Sequence, residues 1–412
     1  MNKIRLLRKD LFIIFKSLLL VLFIFSLFTP LIIKDYIQIN PNNIALNLLL
    51  DRTPSFIFQT ILTLIYFFEY IKNKFKIKFV YLNKYILIIF SYAVINLFLF
   101  NDPLFIFETT YYFKYFQQVL FMIFLTNEFL QNKRIYKISV ILYLTCSLII
   151  SLLLINNIFS LVNSESGRMT LIGWKENDLS IYISFAYAIL ISFLADFKKI
   201  DNKYFFLLLI GCSLIFIKGA ILTGTRAALL SISITNLLLL FSIFLNKYNP
   251  IKKTIIVLSN CSFMILNTIN NESINDRVFI DNFNTAGGRL VHWLFALKIN
   301  KNPFFGIGLE DYQQLSIKEI GQWDPQNLLI ELYGIAGIIP ILMIFIVMTS
   351  LIYNSFKYYF RTALLSKLIL LIPILINILL FNLWNYKVFF IFIVFYSCHN
   401  EYINLKLRSL KD

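Results

Sequence analysis

Charge is scarce in this sequence. Charged residues make up 15% of the chain, hydrophobic residues 59%, and mean hydropathy is +0.75. A soluble domain carries about 25% charged residues, so an ordinary soluble fold is excluded. Histidine occurs only twice and cysteine four times. Cys146, Cys212, Cys261 and Cys398 lie in or beside apolar runs with no metal-type spacing among them. They read as buried thiols, neither zinc ligands nor disulfides, and no metal is expected. Soluble-enzyme signatures are missing as well. There is no Walker loop, no dinucleotide glycine fingerprint and no nucleophile elbow.

What fills the chain instead is 44 Phe, 23 Tyr and long aliphatic runs. The runs are about 17–25 residues long, the length that crosses a hydrocarbon core. They predict an all-α polytopic membrane protein with about twelve transmembrane helices. The spans fall near 11–33, 55–71, 85–100, 104–125, 138–162, 178–197, 204–222, 227–245, 254–269, 327–350, 368–382 and 388–402. The basic N-terminus resembles a signal peptide, but its apolar run is too long and lacks a cleavage site, so an uncleaved first helix is expected.

The net charge of +16 follows the same logic. Basic residues fall in small clusters between apolar runs, without the stripe that nucleic acid requires. With the N-terminus inside, cytoplasmic segments hold 24 of the 38 Lys and Arg, the opposite side 11, and the spans 3. Every cytoplasmic loop is basic, as orientation demands. Both termini are expected in the cytoplasm. The weakest span is 254–269, which carries Asn260 and Asn267.

Residues 270–326 break the alternation of helix and short loop and are expected outside. Leu290, Trp293, Leu294 and Leu297 have helical spacing, so an amphipathic helix is expected over about 289–299, flat on the membrane or against the bundle. Pro303 ends it, and Gly306 with Gly308 forms a tight turn where backbone can approach a ligand. This divides the chain into N-terminal helices (1–162), a core (163–350) and C-terminal helices with a tail (351–412).

Arginine is unevenly placed. Five of the ten arginines (Arg52, Arg168, Arg226, Arg277, Arg289) lie among the 11 external basic residues. Arginine adds a planar fork that grips phosphate. Arg226, in Thr223-Gly224-Thr225-Arg226-Ala227-Ala228, either snorkels to headgroups or joins a helix start in binding an anion. Arg168 and Arg289 have the same character. His292 lies three residues after Arg289, in a structural or an acid–base role. In Asp324-Pro325-Gln326-Asn327, Asp324 either caps the next helix or, with Glu310 or Asp311, serves as a base for a hydroxyl acceptor.

These clusters resemble the O-antigen ligase and polymerase family of bacterial membrane proteins. The matching residues are Gly173 with Asn177, Thr225 to Leu229, Gly288-Arg289 with Trp293, Asn302 to Gly308, and Asp324 to Leu328 leading into Glu331 to Gly337. They occur in the family's order over roughly 165–350. The resemblance implies glycan transfer from an undecaprenyl-pyrophosphate carrier to a sugar hydroxyl, on the periplasmic side of the inner membrane, without cofactor or nucleotide. The acceptor is a second lipid-linked repeat in a polymerase, lipid A-core in a ligase. Its implied partners are lipid-linked oligosaccharide, membrane lipid and other polysaccharide-assembly proteins. Arg226, Arg289 and Arg168 are implied to hold the pyrophosphate. Where family members carry His-Asn, this chain has Gln326-Asn327, and glutamine cannot take a proton. That change favours polymerase over ligase. The rival readings are a transporter or flippase of lipid-linked sugars, and a glycosyltransferase using a polyprenyl-phosphate sugar.

Overall fold

The computed structural model describes residues 2–28, 54–73, 110–158, 160–162, 169–171, 176–196, 202–245, 250–269, 289–300, 302–320, 327–362, 364–380 and 390–399, with scattered helical residues between 84 and 95. Expected spans 85–100 and 104–125 and the loop 270–326 therefore fall partly outside the described residues. The order is α1 (Asn2–Leu27), α2 (Pro54–Asn73), α3 (Thr110–Gln131), α4 (Lys133–Ile155), β1 (Ser160–Val162), β2 (Met169–Leu171), α5 (Glu176–Asp196), α6 (Lys203–Thr223), α7 (Arg226–Leu245) and α8 (Pro250–Ile269). Then come α9 (Arg289–Ile299), α10 (Leu309–Ile320), α11 (Leu328–Ala336), α12 (Ile338–Thr362), α13 (Ser366–Leu380) and α14 (Phe390–His399).

Among the described residues, α4, α5, α6, α7 and α12 are long and apolar enough to cross a membrane, and Phe12–Leu27, Ser366–Leu379 and Phe390–His399 are shorter apolar helices. Helix α5 is the axis of the bundle. Every residue from Leu179 to Ala195 except Phe193 is buried or nearly so, and α4, α6, α7 and α13 pack around it. Helix α14 joins them through Phe392, which stacks on Phe185 at 4.1 Å between centroids. The surrounding helices expose large apolar side chains, among them Leu208, Phe244, Leu258 and Ile346. A helix apolar on both its inner and outer faces needs hydrocarbon around it.

Polar side chains inside this bundle are paired across helices. Asn260, which made α8 the weakest span, donates from Nδ2 to Tyr187 Oη at 2.9 Å and accepts from Ser213 Oγ at 2.8 Å. Tyr187 in turn donates to Asn236 Oδ1. One node thus ties α5, α6, α7 and α8, and α8 runs unbroken for 20 residues. Lys253 donates to the Ala195 carbonyl at 2.9 Å, placing a cation at the negative end of α5. In the N-terminal helices, Lys16 of α1 meets Glu69 of α2 at 2.9 Å and Glu128 of α3 at 3.3 Å.

Two expectations change. The helix over 138–162 stops at Ile155, because Asn157 turns left-handed with φ 57°, and residues 160–162 pair antiparallel with 169–171. Among the described residues the fold is therefore all-α but for this pair of short strands, between which the 162/163 boundary falls. The span expected at 327–350 is two helices, broken at Gly337 (φ +78°), and the boundary at 350/351 lies inside α12. Helix α9 occupies the expected range, with Phe295 and Ala296 buried and Val291, Leu294 and Leu297 exposed.

Removing the Lys16 ammonium strands two carboxylates between helices. Lys16→Met should cost about 3–5 kcal/mol, seen as a lowered thermal midpoint of the detergent-purified protein. Adding Glu128→Gln to it should recover part of that loss, and a double variant no better than the single one would contradict the pairing.

Candidate functional site

The ends of the bundle are not alike. One end, here the capped end, gathers the β-hairpin, the α6–α7 turn and helices α9 to α11. Hairpin strand β2 packs against α4, α5 and α6. Asn327 bonds the carbonyl of Leu379 at the last turn of α13, fixing α11 at the same end. The opposite end holds the pairs His399–Ser366 and Lys253–Ala195.

The α6–α7 turn is two residues long. Gly224 caps α6 in the left-handed region (φ 61°, ψ 23°), donating to the Ile221 carbonyl, a conformation that favours glycine. The Thr225 carbonyl then accepts from Ala228 at 3.1 Å and Leu229 at 3.3 Å, opening α7. Arg226 is the first residue of α7 and is exposed, while Ala227 and Ala228 behind it are buried. A cation at a helix start opposes the helix dipole, and an anion bound there would reverse that cost. Five residues before Thr223, Lys218 donates to Asn267 Oδ1 of α8 at 2.6 Å. It stands about 8 Å along the α6 axis from that helix's end, at 1.5 Å per residue. Its bonded partner is a neutral amide.

Helices α9 to α11 are locked by a backbone crossing. Ile307 N–H donates to Gly334 O at 3.1 Å, Gly308 N–H to Ile335 O at 3.0 Å, and Ile338 N–H to Pro303 O at 2.8 Å. A Cβ at Gly306 would strike the Ile335 carbonyl, and one at Gly337 the Phe304 carbonyl. At Gly334 it would strike the Tyr312 ring. Asn300 adds a bond to Tyr333 O at 2.7 Å, and Tyr92 one to Ala336 O at 3.1 Å. The glycines expected to admit a ligand instead admit each other's backbone: the segments Asn302–Gly308 and Tyr333–Gly337 are two halves of one joint.

Asn327 caps α11, its Oδ1 accepting from Leu329 N at 3.0 Å and Ile330 N at 3.2 Å. The cap expected at Asp324 is therefore three residues later. Because Nδ2 of Asn327 also holds α13, both ends of its amide are engaged in structure. Asp324, Gln326 and Arg168 lie outside the described residues. Arg289 and His292 are placed on α9 by backbone position only. Glu310 and Asp311 form the first turn of α10, the favourable end for carboxylates. Glu310 is half-buried and accepts from Gln314 at 3.2 Å, while Asp311 is exposed.

Two further residues belong to this end. Lys218 is one of the three basic residues within the expected spans, where a charge is a functional signal in its own right. Glu331 is 4% exposed on α11, a carboxylate inside a short apolar helix. Its sequence signal was the acid in the run Leu328 to Ala336, four residues after Asn327. Helix α13 touches both α7, which Arg226 opens, and α11, which carries Glu331. Cations at one rim with a buried carboxylate at the other can hold a polyanionic headgroup and receive a proton. No grouping of three or more metal-ligating side chains occurs among the described residues.

The joint is testable. Gly334→Ala should cost about 1–3 kcal/mol by driving Tyr312 off its seat, with faster proteolysis between α9 and α11, whereas Gly211→Ala, which meets nothing within 4 Å, should leave both unchanged.

Compared with known proteins, the chain matches no family model and no curated protein.

Proposed function

We propose that the protein is a membrane glycan polymerase or transferase acting on undecaprenyl-pyrophosphate-linked oligosaccharide in surface-polysaccharide assembly, with polymerase favoured over ligase. The proposed setting is a bacterial inner membrane crossed twelve times, with both termini cytoplasmic and the capped end in the periplasm. The observation that carries this reading is Arg226. An exposed guanidinium opens α7 at the end where the two-part glycine joint and the capped helix α11 are built. The described parts of the motifs behind the family resemblance, Thr225 to Leu229, Asn302 to Gly308 and Asn327 to Gly337, lie at this end and support the reading.

The chemistry proposed needs little machinery. The acceptor hydroxyl oxygen attacks the anomeric carbon of the donor glycan. The bond from that carbon to the pyrophosphate oxygen breaks, the electron pair leaves with the pyrophosphate, and the hydroxyl proton goes to a base. Arg226, with Arg289 on α9, would neutralise the charge that grows on the leaving pyrophosphate. Lys218 lies on the same side of the bundle and would add a third positive charge. Gln326, one residue before the α11 cap, can orient a hydroxyl without accepting its proton.

A transporter or flippase of lipid-linked sugars is the second reading. It is favoured by the Lys16–Glu69–Glu128 cluster, since charges between membrane helices often mark a transport path. The two readings separate in a deletion strain. Loss of long chains with single repeats still displayed indicates a polymerase, loss of all repeats a ligase, and lipid-linked repeats trapped inside a flippase.

Arg226→Ala should abolish long-chain polysaccharide on electrophoresis while the protein remains in the membrane at wild-type amount. Arg226→Lys should restore only part, because an ammonium lacks the bidentate fork. Normal banding in Arg226→Ala would remove the phosphate clamp.

A further inference from the structure

We propose that the corner between α12 and α13, at the end opposite the cap, seats an anionic phospholipid of the surrounding membrane. This needs only the membrane-spanning bundle and is independent of the glycan-transfer reading.

Helix α12 leaves the joint at the capped end and runs 25 residues to Thr362. At about 1.5 Å per residue it is about 37 Å long, more than the ~30 Å of a hydrocarbon core. Its last turns therefore reach headgroup level at the opposite end. A single exposed stripe follows the helix. Leu342 and Ile346 lie on it in the first half, and Tyr353, Lys357, Phe360 and Arg361 in the second. Steps of three, four and seven residues keep these on one face. The stripe is aliphatic at the depth of acyl chains, then aromatic and basic at the depth of headgroups, the order of groups in a phospholipid read from tail to head.

The basic half of the stripe has few carboxylates to meet. No Asp or Glu occurs between Glu331 and Glu401, and neither Lys357 nor Arg361 meets a carboxylate among the described residues. Lys357 stands over the Tyr353 ring at 5.8 Å, and Lys367, in the first turn of α13, over the Tyr358 ring at 5.7 Å. A ring orients an ammonium without cancelling its charge. The corner is also held from behind by α14. Ser355 of α12 shares a hydrogen bond with Tyr396 at 3.0 Å, and Ser366 of α13 one with His399 at 3.2 Å. The cations are thus carried on two helices anchored to a third.

An anionic phospholipid uses both halves of the stripe. Its acyl chains lie along Leu342 and Ile346, and its phosphate meets the Lys357 ammonium and the Arg361 fork. A free phosphate would use the basic half alone.

Native mass spectrometry tests this on the full-length protein in detergent, titrated with phosphatidylglycerol or with phosphatidylcholine. The wild-type protein should retain phosphatidylglycerol in preference, and equal retention of the two lipids overturns the proposal. Lys357→Gln combined with Arg361→Gln should weaken phosphatidylglycerol binding roughly 10–30-fold, the effect of two cations lost at a membrane surface. Lys137→Gln combined with Lys203→Gln removes the same charge at the same end, from α4 and α6, and should bind as wild type. All four side chains are exposed, so both double variants should fold. An equal loss in the Lys137 and Lys203 pair, or no loss in the Lys357 and Arg361 pair, overturns the proposal. Inorganic phosphate should leave the bound lipid in place, and its displacement of phosphatidylglycerol would show a phosphate site without a lipid seat.

Discussion

Inside a sheath of hydrocarbon a polar group must find its partner within the protein, and most of this architecture follows from that constraint. Asn260 would be a liability in an isolated helix. Held by Tyr187 and Ser213, it becomes the knot that draws four helices together. Lys16 meets two carboxylates from two other helices, which fixes the packing of α1 on α2 and α3. Lys253 finds the free carbonyls at the end of α5. Each pairing is worth little by itself in a membrane, on the order of 0.6–1.7 kcal/mol for a neutral hydrogen bond, but each rejects alternative packings.

Against that background the capped end is the place we propose for the functional site. Arg226 opens a helix at the end least suited to a cation. Lys218 answers to a neutral amide, and Glu331 is buried on a helix of nine residues. Around them the backbone is unusually rigid, since Gly306, Gly334 and Gly337 let two segments meet without intervening side chains. A backbone joint beside charged side chains would suit a site for a large anionic headgroup. A preorganised site does not have to be rebuilt when charge develops on the leaving group.

Much of the bundle was legible in the sequence, because length and hydropathy identify a membrane helix almost alone. Helices α5, α6 and α7 fall within two residues of expectation. The misses have local causes. Asn157 stops α4 through a left-handed turn that hydropathy does not register. Gly337 breaks α11 from α12 because the Phe304 backbone occupies the place of a side chain, a contact between residues 33 apart in sequence. For the site, motif order picks out segments whose described parts lie at one end of the bundle, yet the part played by each residue depends on contacts. Asn327 looked like an acceptor-binding amide and is a cap. Lys218 lies within a span and bonds Asn267 across the α6–α8 contact, and Glu331, part of a matched motif, is buried on α11.

The central claim is that the arginine-bearing end of the bundle grips a pyrophosphate. A structure of the protein in a lipid nanodisc with undecaprenyl pyrophosphate bound tests it most directly. The account predicts both phosphates at the capped end, with the Arg226 guanidinium in direct contact and the Lys218 ammonium facing the same headgroup. Pyrophosphate seated at the opposite end, or Arg226 directed into lipid with the headgroup elsewhere, would contradict it.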